Sequence, residues 1–194
     1  MSDRPAQDTP FLSLLDALEH ALGQEAPSVG AIVDVLGVRG HGPIIALLAT
    51  LMILPLGMIP FMPAIAGIAL ALSGFALAIG DERVSLPGWL RRVKLPPAPL
   101  LKALPTLRRA ADRLSRVIRP RGLWILEIWL VEFAIALCLA LVGGVIIVFG
   151  AIPGLPFLLC LPVLLLGLGM TAGDGWVTAL AVAAILGTAA SVIW

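Results

Sequence analysis

Two carboxylates in an apolar stretch are the first residues of this chain whose type and position suggest chemistry. Glu127 and Glu132 belong to the segment GLWILEIWLVEFAIAL. A carboxylate near the middle of a membrane costs about 2.5–3.5 kcal/mol on insertion scales, which makes it a candidate functional group. Five helical positions place the two side chains about 140° apart, so they do not form one carboxylate pair. We expect Glu132, about 15 Å into the segment, to couple to a proton or a small ion.

The other candidate carboxylates have simpler alternatives. Glu127 lies closer to the basic part of the chain, and an ion pair with Arg119 or Arg121 at the membrane surface is its alternative role. Asp81 and Asp174 each follow a glycine at the end of an apolar run. Either aspartate is a candidate ion ligand or gate, and the alternative is that it caps the end of a helix.

Motifs that would indicate an enzyme are absent from the sequence. There is no H-E-x-x-H, no G-x-S-x-G and no phosphate-binding glycine loop, and His41 alone is weak evidence for catalysis. Cys138 and Cys160 lie in apolar runs, where cysteine acts as a small packing residue. We therefore expect a protein that is not an enzyme, with no metal, no cofactor and no disulfide.

The elements that carry these residues are those of a membrane protein. Hydrophobic residues make up 60% of the 194 residues and charged residues only 13%, far from the balance of a soluble domain. Residues 43–80 and 133–173 contain no charged side chain at all. A spanning helix needs about 20 apolar residues, so each stretch is long enough to do more than cross once. The sequence predicts an all-α, multi-pass protein of the membrane.

A basic loop gives the expected orientation. Eleven of the thirteen basic residues lie between Arg83 and Arg121, and Lys and Arg near membrane-crossing ends are retained in the cytoplasm. Residues 100–117 form an amphipathic pattern that predicts an interfacial helix. We expect its basic face to contact anionic lipid head groups, and we see no nucleic-acid-binding module. The residues of that face are Arg108, Arg109, Arg113 and Arg116.

The N-terminal part has the opposite charge. Residues 1–42 carry six acidic and two basic side chains. Thr9 and Pro10 are a favourable helix start, and Ser28 is a favourable cap for a second helix. We expect two amphipathic helices that pack on the membrane-embedded part or on a partner subunit.

The two charge-free stretches match each other at an offset of 93 residues. Both read G-x-x-P-x-x-P, then an apolar run, then Gly-Asp. Proline inside a helix removes a backbone hydrogen bond, and in a membrane such a break is tolerated only in protein or beside water. Paired breaks point to a central binding site between duplicated broken helices, and ordinary turns between helices are the alternative. The residues of the two motifs are Gly57, Pro60, Pro63, Gly150, Pro153 and Pro156.

The relative direction of the two copies depends on how residues 121–149 cross the membrane. If 44–80 and 137–172 are both re-entrant hairpins, residues 121–136 must cross between them and the repeat is inverted. If 123–149 is one full span, the copies are parallel. We expect the inverted arrangement. The chain then divides into N-terminal helices (1–42), a first hairpin (43–81), the basic loop (82–121) and a second membrane region (122–194) with hairpin 137–173 and a C-terminal helix.

Several of these features together resemble the ExoD family of exopolysaccharide-synthesis proteins. The early helix FLSLLDALEHAL, the proline-rich break and the arginine-rich middle loop carry the resemblance. The motif R-G-x-G-P is formed by Arg39, Gly40, Gly42 and Pro43, with His41 at a position where the family usually has an aromatic residue. The resemblance implies a bacterial inner-membrane protein linked to exopolysaccharide production and, in some relatives, to tolerance of alkaline conditions. It implies no particular reaction.

Three hypotheses for function follow. The first is a small ion or solute transporter or channel, assembled as a homodimer, with its site at the paired proline breaks. The second is a non-catalytic membrane scaffold that binds the polysaccharide machinery through the N-terminal helices and the basic loop. An intramembrane enzyme acting on a lipid-linked sugar is the least favoured, because catalytic side chains are not clustered.

Overall fold

The computed structural model describes a bundle of helices. The described residues are 16, 19, 28–37, 40–53, 62–81, 87–94, 105, 122, 126, 128–150 and 155–193. Within them no strand occurs, only an isolated bridge between Ser28 and Lys94, so the predicted all-α class is confirmed. The helices are α1 (Val29–Gly37), α2 (His41–Ile53), α3 (Met62–Ala78), α4 (Gly88–Arg91), α5 (Trp129–Phe149), α6 (Leu155–Ala172) and α7 (Gly175–Ile193).

One helix of the described part, α5, is long and apolar enough to cross a membrane. Its 21 residues rise about 31 Å, which matches a hydrocarbon core of about 30 Å. Four other apolar segments are shorter, namely His41–Ile53, Met62–Ala78, Pro156–Ala172 and Gly175–Thr188. Residues 129–136 and 137–149 therefore belong to one continuous helix and are not divided between a crossing and a re-entrant arm.

Proline and glycine mark corresponding ends of α3 and α6. Pro63 and Pro156 are each the second residue of their helix, where proline costs no hydrogen bond. At the other ends, Gly80 and Gly173 adopt positive φ angles of 73° and 67°. The N–H of the aspartate that follows each glycine bonds at 2.9 Å to the carbonyl five residues earlier. Both helices thus end in the same glycine-dependent turn.

The two largest helix interfaces each join a helix from the first half of the chain to a helix from the second half. Helix α2 packs mainly on α6, and α3 packs mainly on α5, whereas neighbours in sequence (α2 with α3, α5 with α6) contact each other less. At the offset of 93 residues, α3 corresponds to α6 and α2 corresponds to the middle of α5. The two large interfaces are therefore equivalent to each other.

Glycine allows the helices of these interfaces to approach closely. A Cβ on Gly74 would lie 2.6 Å from the carbonyl oxygen of Ala136, and a Cβ on Gly150 would lie 3.0 Å from the Cβ of Pro63. Since position 74 faces 136 and position 63 faces 150, α3 and α5 are antiparallel. Small residues at such contacts allow backbones to pack tightly where no water drives association.

The other interface has the same geometry. A Cβ on Gly42 would lie 2.8 Å from the backbone nitrogen of Thr171, and one on Gly167 would overlap the backbone nitrogen of Ala46. Helices α2 and α6 are therefore antiparallel as well. A glycine on each side again sets how closely the pair can pack.

The directions of α2 and α5 contradict the inverted arrangement. Leu51 and Met52 of α2 and Met62 of α3 line one cavity, so the end of α2 lies beside the start of α3. Since α3 is antiparallel to α5, the start of α2 lies at the same end of the bundle as the start of α5. Helices α2 and α5 therefore begin at the same end of the bundle and run in the same direction. The inverted repeat expected from the sequence does not fit the directions of these two helices, because α5 continues unbroken from Trp129 to Phe149.

The described parts of the two proline motifs lie at the opposite end. Pro63 is buried and packs beside Gly150, which ends α5. A neighbouring cavity between α1, α2 and α3 is lined by apolar side chains, including Val33, Leu48 and Met62. Gly57, Pro60 and Pro153 are outside the described residues. The placement of Pro63 and Pro156 in first helical turns is that of ordinary helix starts.

The charged segments are described only in part. Asp16 and Glu19, within the first predicted N-terminal helix, are helical and exposed. Helix α1 packs on α2, and its Asp34 accepts a hydrogen bond from Arg91 of α4 at 2.6 Å. Of the predicted interfacial helix only Pro105 is described, and it is helical. The four arginines expected at lipid head groups lie outside the described residues.

Candidate functional site

The end of the bundle where α2 and α5 begin carries a set of ionisable side chains, and we call it the polar end. It is defined by His41, Asp81 and Glu132, which come from α2, from the turn after α3 and from α5. The sequence separates these residues by 40 to 91 positions. They lie at the same end of the bundle because α2 and α5 begin there and α3 ends there.

Glu132 lies close to the start of α5. Helix α5 begins at Trp129, and Glu132 is in its first turn, only about 5 Å from the helix start. The expected depth of about 15 Å in a membrane stays a prediction, because α5 defines the start of a helix and not the surface of a membrane. A glutamate in a first turn is also favoured by the helix dipole, which is its simplest structural role.

His41 is the residue of this end that sequence reasoning undervalued. Its side chain is only 5% exposed, and its buried Nε2 has no hydrogen-bond partner among the described residues. The polar groups of Ser73 and Thr178, also buried, bond to the carbonyls of Ala69 and Asp174. An unsatisfied buried nitrogen costs about 1–3 kcal/mol, so the exception at His41 needs an explanation.

The neighbourhood explains why His41 is buried. Gly42 follows it, and the absence of a side chain there lets α2 press against the backbone of Thr171 in α6. Gly40 precedes it in a left-handed conformation with φ 89°, which turns the chain from α1 into α2. Pro43 is in the first turn of α2 and is buried. The R-G-x-G-P motif thus positions the residue at its centre, while Arg39 is outside the described residues.

Asp174 has a structural task in the turn between α6 and α7. It is 4% exposed, and its Oδ1 accepts hydrogen bonds from the backbone N–H groups of Trp176 and Val177, each at 3.2 Å. This is the arrangement of a helix N-cap. Of the two Gly-Asp positions, Asp81 acts on His41 and Asp174 caps α7.

We expect Asp174→Ala to lower the free energy of unfolding by about 1 kcal/mol, the usual value of an N-cap. Asp174→Asn retains a side-chain oxygen of the same length and is the matched control, which we expect to stay close to wild type. Thermal unfolding of the detergent-solubilised protein measures both. An equal loss in the two variants would show that the negative charge matters and not the cap.

The remaining predicted residues do not join this site. Pro63, Gly150 and Pro156 are at or near the other end of the bundle, and Glu127 is outside the described residues. The signal that could have identified His41 was its position between two glycines. Glycines on both sides of a histidine let the backbones of adjacent helices approach and enclose its side chain. Charge patterns alone point instead to acidic residues.

The fold defines an all-helical apolar bundle with a buried histidine, His41, and two partly buried carboxylates, Asp81 and Glu132, at the same end. A family pattern described as exopolysaccharide synthesis, ExoD, matches residues 11–194. The chain belongs to the ExoD family, as its sequence features indicated, and is thereby linked to exopolysaccharide synthesis; the family is associated with membranes in bacteria. No curated protein and no solved structure matches the chain.

Proposed function

We propose that this protein is a multi-pass protein of the bacterial inner membrane that supports exopolysaccharide synthesis by moving protons or a small cation. The observation that carries the proposal is the polar end, where His41, Asp81 and Glu132 lie at the same end of the helix bundle. Ionisable groups gathered at the end of an apolar helix bundle are typical of ion pathways.

The surface of the bundle supports a membrane location. Large apolar side chains are exposed along α5, α6 and α7, and a water-soluble monomer rarely exposes so many together. Trp129 and Trp176 begin α5 and α7 at the polar end and are 73% and 64% exposed. Tryptophan prefers the boundary between lipid and water, so this end is proposed to lie at one membrane surface.

Orientation follows from the basic loop. Helix α3 ends shortly before the loop 82–121 and α5 begins shortly after it, and both of these helix ends belong to the polar end. With its many Lys and Arg residues the loop is proposed to be cytoplasmic. The polar end would then open to the cytoplasm, and the proline motifs would lie toward the outer face.

The correspondence between the halves supports an internal duplication. The same glycine turn ends α3 and α6, and the same crossed contacts join α2 to α6 and α5 to α3. We propose two parallel copies of one helical hairpin, in place of the inverted pair expected from the sequence. A homodimer of such bundles remains a prediction.

The interior favours a carrier over an open channel. The hydroxyls of Thr50, Ser73 and Thr171 bond to backbone carbonyls of their own helices, so they do not line a water path. The cavity between α1, α2 and α3 is apolar. An ion bound at the polar end would cross only if the helices rearranged.

Flux through proteoliposomes tests the proposal. We expect purified protein to carry protons, or sodium or potassium ions, down an imposed gradient, and Glu132→Gln to reduce that flux to the level of empty vesicles. Glu19→Gln, on the exposed N-terminal helix, removes an equal charge and should leave flux intact. If the wild-type protein moves none of the three ions, the transport proposal is abandoned.

A scaffold is the second candidate, and one observation favours it. Trp89 of α4 is exposed beside Arg92 and Lys94, while Leu90 is fully buried and Arg91 pairs with Asp34. The start of the basic loop is thus held against α1 and exposes one aromatic and two basic side chains. Such a surface can bind lipid head groups or a partner protein. Loss of polysaccharide on deletion of residues 1–27, with the protein still in the membrane, would support the scaffold.

A further inference from the structure

We propose that a small surface on and directly after α4 binds the head groups of anionic lipids at the membrane face beside the polar end. This surface consists of the side chains of Trp89, Arg92 and Lys94, and we call it the α4 surface. Such binding rests on the proposed function only for its membrane location, and no ion needs to be transported.

The turn that carries the α4 surface is packed firmly on α1. The backbone N–H of Val29 donates a hydrogen bond to the carbonyl of Val93 at 2.8 Å. A Cβ on Gly30 would lie 2.9 Å from the Cβ of Arg91, so the two segments are as close as only a glycine permits. Leu90, which precedes Arg91, is fully buried in the apolar core. These contacts fix the position of the turn against the bundle.

The side chains of the α4 surface are on the outside of this turn. Trp89 is 55% exposed, and Arg92 and Lys94 are exposed as well. Arg92 keeps helical backbone angles, with φ −83° and ψ −8°, and it is three positions after Trp89. Residues at this spacing lie on the same side of a helical turn, so the ring and the guanidinium are neighbours. A large aromatic ring beside two cations is a combination that binds at the boundary between lipid and water.

The positive charge of the α4 surface is not neutralised within the part of the chain that the structure describes. Arg91 pairs with Asp34 at 2.6 Å, whereas Arg92 and Lys94 form no ion pair with any described residue. The sequence from 83 to 121 contains eleven basic side chains and one acidic side chain. A cation near a membrane surface favours anionic lipid about fivefold.

The α4 surface is held near the end of the bundle where the other exposed tryptophans lie. Asp34, which binds Arg91, is three residues before the end of α1, and three residues join that end to α2 at the polar end. Trp129 and Trp176 are exposed at this end, and Trp89 is the third tryptophan among the described residues. Tryptophan prefers the boundary between lipid and water, so all three side chains fit one membrane face.

A lipid head group suits the size of the α4 surface better than a protein does. A stable protein interface uses about 20–30 residues on each side, whereas segment 87–94 exposes four residues. A phosphate group needs only a few charged donors, and a guanidinium and an ammonium provide them. We therefore assign the surface to lipid.

Fluorescence quenching tests this assignment on the full chain in lipid nanodiscs. Phenylalanine replaces four of the five tryptophans, so that Trp89 alone fluoresces. The nanodiscs contain equal amounts of phosphatidylglycerol and phosphatidylcholine, and only one of the two lipids carries bromine, near the top of its acyl chains. We expect brominated phosphatidylglycerol to quench Trp89 at least about twofold more than brominated phosphatidylcholine does. The double variant Arg92→Gln, Lys94→Gln, which changes exposed side chains only, should abolish the difference.

A protein in which Trp176 is the single tryptophan is the matched control. Trp176 is exposed at the same end of the bundle, and no Lys or Arg occurs from Gly122 to the last residue of the sequence. Both brominated lipids should therefore quench Trp176 equally, with Arg92 and Lys94 present or replaced.

The two tryptophans distinguish failure of lipid binding from failure of the membrane location. Equal quenching of Trp89 by both lipids, or a preference that persists in the double variant, overturns head-group binding by the α4 surface. Quenching of Trp176 but not of Trp89 overturns it too, leaves the membrane location intact and assigns the surface to a partner protein. If neither tryptophan is quenched, the membrane location itself fails. A protein that carries no ion can still give the expected result, because flux is not part of the measurement.

Discussion

Replacing Gly143 by alanine should lower the free energy of unfolding markedly, whereas the same change at Gly144 should not. A Cβ at Gly143 would lie 2.5 Å from the carbonyl oxygen of Gly67 and 2.7 Å from the backbone nitrogen of Ala71. Both atoms belong to the backbone of α3, which cannot rotate away as a side chain can. The two helices must separate along their whole contact. Overpacking of this kind costs about 1–3 kcal/mol, and more where backbone must move.

Gly144 is the matched control because it is the next residue of the same helix. A Cβ there meets nothing within 4 Å. Alanine is favoured over glycine in a helix by about 0.5–1 kcal/mol, so Gly144→Ala should be as stable as wild type or slightly more so. Thermal unfolding in detergent compares the two. Equal stability of both variants would mean that α3 and α5 are not in backbone contact.

The direction of the two halves predicts a one-sided labelling pattern. Ile79 directly follows α3 and Trp176 is the second residue of α7, and both are exposed at the polar end. In a protein whose buried Cys138 and Cys160 are replaced by alanine, single cysteines at 79 and 176 should react with an impermeant maleimide in inside-out vesicles only. A cysteine in place of Phe149, at the other end of α5, should react from the outside only.

The labelling experiment is decisive because the inverted arrangement predicts a different result. In that arrangement position 176 faces the side opposite to position 79, so the two would never label together. Joint labelling from the outer face would instead retain the parallel copies but reverse the proposed orientation. Denatured samples, in which all three positions react, show that each cysteine is present and reactive.

The helical class and the turns followed from local rules that the sequence displays. Proline at position 63 or 156 can start a helix, and Gly80 or Gly173 can end one, whatever lies nearby in space. The offset of 93 residues was likewise visible. These features depend on backbone preferences of single residues, which is why they could be read without knowledge of packing.

The candidate site could not be predicted in the same way. Glu132 was placed deep in the apolar segment because its depth depends on where α5 begins, and apolar residues before Trp129 gave no sign of a boundary. A lone histidine such as His41 gives little indication of a site in the sequence, because its surroundings depend on helices α3 and α6, which are distant along the chain. The direction of the copies depended on whether residues 129–149 stay in one helix, which hydropathy does not decide.

The crossed contacts have a consequence for how the protein is made. Each helix of the first hairpin finds its main partner in a segment synthesised later, since α2 packs on α6 and α3 on α5. If the chain is a multi-pass membrane protein as proposed, the first hairpin enters the lipid during translation with the glycine faces of Gly42, Gly67 and Gly74 uncovered. Native packing then waits for a segment roughly 90 residues downstream, an arrangement of high contact order that slows assembly. In the proposed multi-pass arrangement an inserted but unpaired hairpin would precede native packing, and membrane-embedded chaperones or proteases would meet the chain at that stage.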